Sequence, residues 1–356
     1  NFVANTFPFR ASSHFLYFAG LPLVNAAIRL DNGKLALFMD NPSPQATLWH
    51  GETPQPDEIG ATIGADSVYP LAELPAKTEH AATIAVQDLK TYHQQCQLLN
   101  RSIAFANQLE GIDLELAQAI VKLRSHHDDL ALQELRQAAA VSVKAHLVGM
   151  QSTLQAKAEA QIRGAMEGVI IAHDMHCAYN SIVTVHGEVL QNESYHHLLE
   201  PQDLLLADVG AETPNGWAAD ITRTWPVSGK FSINQKDIYE IVLAAHDRGI
   251  SQIHPGVEYQ DIHLLAAQVI AEGLVDLGIL KGNPEDLVAM DAHALFFPHG
   301  IGHLLGLDVH DMEDLGDRAG YESGRTRSDR FGLGYLRLSR PLEPGMLVTI
   351  EPGFYQ

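Results

Sequence analysis

The sequence predicts an α/β (α+β) protein of two domains, and three observations lead there. The first is size: 356 residues, 46% of them apolar, suffice for two separate hydrophobic cores. The second is a change of character near residue 124, where short strands and turns give way to long helical patterns. The third is an alternation, in the later part, of apolar strand-like runs bearing acids with amphipathic helical stretches, which fits a mixed sheet covered on one side. The limits read from this are 1–124 and 125–356.

In the first domain, residues 26–30 and 35–39 flank Asp31-Asn32-Gly33-Lys34 and predict a hairpin. Amphipathic segments follow around 84–99 and 114–123. Ser125, three residues before Asp128, has the spacing of a capping box and should open a helix through Leu130, Leu135, Ala138, Val141 and Ala145. Further helices are expected at about 155–172, 234–253 and 259–278, the second announced by Ser232-Ile233-Asn234-Gln235. Neither a short-period repeat nor a low-complexity linker interrupts the pattern.

Composition excludes several functions. A formal charge of -21 repels nucleic acid and anionic membranes alike. The two cysteines, Cys96 and Cys177, lie far apart and form neither a disulfide framework nor a zinc motif. No apolar run approaches the ~20 residues that span a bilayer. A cytoplasmic protein is the expectation, with the reservation that the chain begins at Asn1 without methionine and a targeting segment before it is not excluded.

Two aspartates lie in apolar surroundings. Leu204-Leu205-Leu206-Ala207-Asp208-Val209-Gly210-Ala211 and Trp217-Ala218-Ala219-Asp220-Ile221-Thr222-Arg223-Thr224-Trp225 read as strands about the turn Thr213-Pro214-Asn215-Gly216. With the turn centred on Pro214 and Asn215, Asp208 and Asp220 fall opposite each other with Cβ atoms ~5 Å apart. Burying unpaired carboxylates costs several kcal/mol, so a cation is expected between them. The alternative is a shifted turn that leaves both in solvent.

Pro298-His299-Gly300-Ile301-Gly302-His303 runs on to Gly306-Leu307-Asp308-Val309-His310-Asp311, bringing three histidines into one glycine-rich apolar stretch. Its glycines and proline argue for an irregular or extended segment rather than a helical zinc pair. Residues 345–354 read as a buried strand that ends at Glu351, a carboxylate whose burial needs a partner. Carboxylates with one imidazole suit divalent ions such as Mn, Co or Zn, and paired ions of this kind hydrolyse amides.

These segments, together with Leu342-Glu343-Pro344-Gly345-Met346 and Glu351-Pro352-Gly353, resemble the metallopeptidases of the pita-bread fold, in particular the Xaa-Pro peptidases, aminopeptidase P and prolidase. The run from Phe7 to Gly20, Phe7-Pro8-Phe9-Arg10 through Tyr17-Phe18-Ala19-Gly20, is similar to the first domain of those enzymes. The resemblance implies an N-terminal α/β domain followed by a pita-bread catalytic domain, and two divalent metal ions, Mn2+ foremost with Co2+ or Zn2+ as substitutes. It implies metal ligands Asp208, Asp220 (bridging), His303 and Glu351, with Glu351 also shuttling a proton. His299 and His310 become outer catalytic groups, with Asp311 orienting His310, while Asp308 is expected to serve the loop. A peptide with proline at its second position is the implied substrate, and a homodimer or homotetramer the implied assembly.

Two departures stand out. The family's fifth ligand, a bridging glutamate, lies beyond the Glu351 motif, and this chain stops at Gln356 before it, so a missing C-terminal piece is expected to close the site. Where the family has Leu-His-Asn or Leu-His-Tyr, this chain has Leu190-Gln191-Asn192; glutamine hydrogen-bonds but carries no charge, which predicts slower catalysis or a changed preference. Flanking His186, His196 and His197 are expected to be loop residues. By the resemblance, two ions share a water, acidify it and deliver hydroxide to the Xaa-Pro carbonyl. Prolidase activity on dipeptides is the first alternative, and an impaired pita-bread binding module the second.

Overall fold

The computed structural model describes residues 8–356, so Phe7 of the N-terminal motif lies outside the described residues. The chain divides into two compact units, Asn1–Ile120 and Val121–Gln356. In the first unit the expected hairpin is present. Ala27–Asp31 pairs antiparallel with Lys34–Phe38, and Asp31 faces Lys34 across a two-residue turn. Asn32 and Gly33 both adopt positive φ, 52° and 76°, the backbone twist that joins such strands most directly. Ser67–Tyr69 adds in parallel beside Lys34–Phe38. Helix Leu89–Leu99 starts late in its expected stretch, because the Asp88 carboxylate accepts the Thr91 N–H and sets the boundary there.

Residues 114–123 lie inside helix Gly111–Arg124, and the second unit's long helix Asp129–Thr153 follows. Its N-cap is Asp128, which accepts the Ala131 N–H at 2.8 Å. Ser125 does not open this helix as predicted: its hydroxyl donates to the Val121 carbonyl and finishes the preceding one. Helix Glu159–Ala172 begins four residues later than expected. Helices Ile233–Ser251 and Tyr259–Asp276 match the reading closely, the first with a complete Ser232–Gln235 capping box.

The larger sheet of this unit runs Ile182–Thr184, Leu204–Asp208, Thr222–Pro226, a two-stranded one joins His176–Cys177 to Ala211–Glu212, and all these pairings are antiparallel, which corrects the mixed sheet expected. Alternation along the middle strand places Leu205, Ala207 and Val209 in the core with Val141, Ala145, Ile162, Met166 and Ile170 from the two covering helices. Each valine, leucine, isoleucine or methionine side chain among them, fully buried, contributes about 1.5–3 kcal/mol. The same alternation turns Asp208 to the other face, which keeps the acid out of the apolar layer.

Residues 345–354 do not form the regular strand predicted. Residues 346–354 lie half-buried, and 347–351 run antiparallel to 301–305 through Leu305 N–H to Leu347 O, Thr349 N–H to His303 O and Glu351 N–H to Ile301 O. A Cβ on Gly302 would lie 2.3 Å from the Thr349 carbonyl oxygen.

Candidate metal centre

The hairpin brings Asp208 and Asp220 together, though not in the register predicted. Asp208 faces Thr222, and Val209 N–H donates to Ile221 O, so the turn centres one residue later and Asp220 falls opposite Gly210. The aspartates are therefore diagonal neighbours. Glycine is required opposite Asp220: a Cβ there would sit 1.8 Å from the Ala219 carbonyl oxygen and 2.8 Å from the ring of Tyr179.

Tyr179 is the residue that the sequence reading missed. Its hydroxyl lies 2.5 Å from Asp208 Oδ1 and 3.0 Å from Asp220 Oδ1, one proton between two carboxylates. Burial and then the two aspartate charges push its pKa well above the tyrosine range, so it stays a donor. No motif marks it.

His303 closes the group. Its Nε2 lies 3.1 Å from Asp220 Oδ2 and 3.2 Å from Glu351 Oε1, and among the described residues Asp220, His303 and Glu351 are the three whose donor atoms all converge within 4.8 Å. The Leu304 carbonyl accepts a hydrogen bond from Nδ1 at 2.9 Å, which fixes the proton there and leaves the Nε2 lone pair aimed at two carboxylate oxygens. Such an arrangement needs a positive charge at that point, either a second imidazole proton or a metal ion. Without an ion the proton fills the role. Burial alone would lower the pKa of His303, but hydrogen bonds to Asp220 and Glu351 outweigh it and carry it up to about 10.

The carboxylates show the same tension. Burial, and then the Asp220 charge, holds Asp208 well above the usual carboxylate range. For Asp220 burial acts in the same sense, but His303 and Tyr179 outweigh it and hold the group below that range. Thr349 Oγ donates to Glu351 Oε1 at 2.7 Å and accepts the His303 N–H at 3.0 Å, locking ligand to ligand. Hard oxygen donors, one imidazole and an uncompensated negative charge make a donor set that fits a divalent cation.

His299 lies outside this triad. Its Nδ1 bonds the Gly300 carbonyl at 2.8 Å and its Nε2 lies 2.9 Å from the Tyr355 hydroxyl; burial lowers its pKa. The His310 ring packs edge-on against His303, with centroids 4.2 Å apart. Asp311 does not orient it: Glu313 Oε2 lies 3.5 Å from His310 Nδ1, while Asp311 turns to Arg124. Burial would raise Glu313, but His310 and Arg337 outweigh it and hold its pKa at about 2. Gln191 is exposed beside buried Asn192, and His186 and His197 pair with Glu188 and Glu159, as loop residues do.

Residues 133–356 match the model of metallopeptidase family M24, and residues 1–88 that of the aminopeptidase P N-terminal domain. The chain belongs to metallopeptidase family M24. A member from Talaromyces stipitatus, named a probable Xaa-Pro aminopeptidase, is 31% identical over 98% of this chain and 75% of its own. One from Paracoccidioides lutzii, of the same name, is 31% identical over 98% and 74%. Among solved structures, a single-residue variant of Escherichia coli aminopeptidase P in complex with substrate superposes with a TM-score of 0.82 at 27% identity, over 99% of this chain and 80% of that one. The zinc-substituted form of that enzyme in complex with product gives the same TM-score, identity and coverage. This M24 chain is thus a metallopeptidase with the two-domain aminopeptidase P-like fold. No helix among the described residues is long and apolar enough to cross a membrane.

Proposed function

We propose that the chain removes the N-terminal residue ahead of proline from peptides, using a pair of divalent cations held by Asp208, Asp220, His303 and Glu351. The observation that carries this reading is the imidazole nitrogen directed between two carboxylates beside a second, half-buried aspartate, in a chain whose relatives are named Xaa-Pro aminopeptidases. Bound there, divalent cations supply Lewis-acid polarisation of the scissile carbonyl and acidify a water. Oxygen-rich coordination favours manganese, with cobalt or zinc as substitutes.

The protein groups then divide the work. His303 keeps Nδ1–H on the Leu304 carbonyl, so its Nε2 would be presented to a cation without reorienting. The Tyr179 hydroxyl holds the oxygens of Asp208 and Asp220 that face each other, which fixes both carboxylates. Glu351, held by Thr349, moves the proton from water to the leaving nitrogen. His299 and His310 serve as outer groups for the oxyanion and the substrate carbonyl; Tyr355 and Glu313 fix their direction.

The test is an assay of the full-length protein with Ala-Pro and Ala-Pro-Ala, with and without Mn2+ and after chelation. Mn2+-dependent release of alanine from the tripeptide is the expected result. Turnover of the dipeptide alone would replace this reading by a prolidase. No turnover together with no bound metal would overturn it in favour of a binding module.

A further inference from the structure

The second unit contains another buried carboxylate, and this one is neutralised from within the chain. Asp311 and Arg124 have side chains 3% and 2% exposed, and Arg124 Nη2 lies 2.6 Å from Asp311 Oδ1 and 3.3 Å from Asp308 Oδ2. The turn between Gly306 and Asp311 is wound around this carboxylate. Asp308 N–H donates to Asp311 Oδ1 at 3.1 Å, and Gly306 N–H donates to the Asp308 carbonyl. A Cβ on Gly306 would lie 2.6 Å from Asp311 Oδ2, so only glycine lets the backbone pass.

The turn reaches the candidate ligands at three points. The Leu304 carbonyl accepts both the Asp311 N–H at 3.0 Å and the Nδ1–H of His303 at 2.9 Å, so one oxygen joins the paired carboxylate's backbone to the imidazole. His310, next to Asp311, packs its ring on His303. The Gly306 carbonyl accepts the Ala218 N–H, two residues before Asp220. His127 adds a support, its Nε2 3.0 Å from the Leu305 carbonyl.

We propose that Arg124 is a positioning residue of the metal centre: through Asp311 it locks the 304–311 turn, which aims His303 Nε2 between Asp220 and Glu351 and seats His310 against it. The inference rests on the reading of His303 as a metal ligand. A guanidinium suits the role because it stays charged when buried, where an ammonium readily loses its proton. Its bonds to Asp311 and Asp308 carry its influence to the candidate ligands through the backbone of the turn.

A purely structural role makes a different prediction. If Arg124 only satisfied a buried charge, replacing both partners by apolar residues would restore the protein, since such swaps of buried ion pairs are often neutral or stabilising. The experiment compares the wild type, Arg124→Met/Asp311→Leu and Arg124→Lys by calorimetric titration of the metal-free protein with Mn2+, alongside Tm. The double variant is expected to keep Tm within a few degrees of wild type and to bind Mn2+ about 10 to 100 times more weakly, the cost typical of a lost outer-shell support. Wild-type affinity in a double variant of wild-type Tm would overturn the inference alone. Absence of Mn2+ binding by the wild type would overturn both it and the ligand assignment. Should the double variant not fold, Arg124→Lys decides. Its shorter reach to Asp311 is expected to weaken Mn2+ binding at least about threefold with an unchanged circular dichroism spectrum; unchanged affinity would again overturn the proposal.

Discussion

The two acidic clusters of the second unit solve one problem in opposite ways. Asp311 is buried and finds a guanidinium at 2.6 Å, a partner of opposite charge supplied by the fold itself. Asp208 and Asp220 lie half-buried against each other and share one tyrosine proton, and beyond it Asp220 meets an imidazole. The first arrangement is complete as a folded chain. The second leaves net negative charge where water is scarce, which on the proposed reading bound cations would neutralise. Within one unit, then, the presence or absence of an arginine separates a carboxylate paired by the fold from the carboxylates proposed to hold cations.

The largest effect that would break this contrast is expected at Asp220, which meets both Tyr179 and His303. Asp220→Ala should lower kcat/KM on Ala-Pro-Ala on the order of 1000-fold, equivalent to about 4 kcal/mol of transition-state stabilisation. The metal-free protein should remain folded by circular dichroism. Near-normal turnover would show that Asp220 holds no essential ion.

Stability sharpens the contrast next, because the same amide substitution should act with opposite sign in the two clusters. Asp208 has its pKa raised by burial and by Asp220, so at neutral pH its ionised form costs the folded state free energy. Asp208→Asn should therefore raise Tm of the metal-free protein by a few degrees and abolish the further rise that Mn2+ brings to the wild type. Burial raises the pKa of Asp311 as well, against the pull of Arg124, so the difference lies in the partner: Asp311→Asn strands the buried Arg124 guanidinium and should cost about 3 kcal/mol, on the order of 10 °C in Tm, with or without Mn2+. Differential scanning calorimetry of the two variants checks both, and equal signs in the metal-free state would dissolve the distinction.

Much of this was readable from residue order. The acids of the hairpin announced themselves because carboxylates inside apolar runs have few stable explanations, and the glycine-rich stretch around His303 was recognisable as non-helical for local steric reasons. What could not be read was register and partnership. Whether Asp220 faces Asp208 or Gly210 depends on a one-residue shift of the turn, and Pro214 and Asn215 tolerate either centre. Tyr179 sits 29 residues before Asp208 in an unremarkable loop, and Arg124 is 187 residues from Asp311. Pairings at that separation follow from the packing of whole elements, which no local pattern encodes. Ser125 failed as a helix opener for a related reason: a serine near a helix end can bond backward to a carbonyl as readily as forward to an N–H, and Asp128 was the better forward acceptor.

A smaller effect tests the shared proton. Tyr179→Phe keeps the ring against Gly210 but removes the donor that ties Asp208 to Asp220. A charge-assisted hydrogen bond is worth about 1.5–3 kcal/mol, so Mn2+ affinity should fall at least about tenfold while Tm of the metal-free protein falls too, since two carboxylates lose their common partner. Unchanged affinity would mean that the aspartates are held by the hairpin alone.

A third solution to burial, neutrality, yields the smallest effect over a single pH unit. His263 donates Nε2–H to the Gly332 carbonyl at 2.8 Å, packs against Phe297 and faces His293, whose ring is likewise fully buried. Burial lowers both, and His263 falls to about 4 from an ordinary 6.5. With the folded pKa depressed, the unfolded chain takes up a proton between pH 6.5 and 4 while the folded chain does not, so stability is full above about pH 6.5 and declines as pH falls toward 4. The loss for one such group is at most about 1.4 kcal/mol per pH unit. His263→Gln keeps an amide donor for Gly332 but cannot titrate, so its Tm should fall less than that of the wild type between pH 7 and 5. A parallel decline in both proteins would place the acid sensitivity elsewhere and remove neutrality from the ways this unit tolerates buried polar groups.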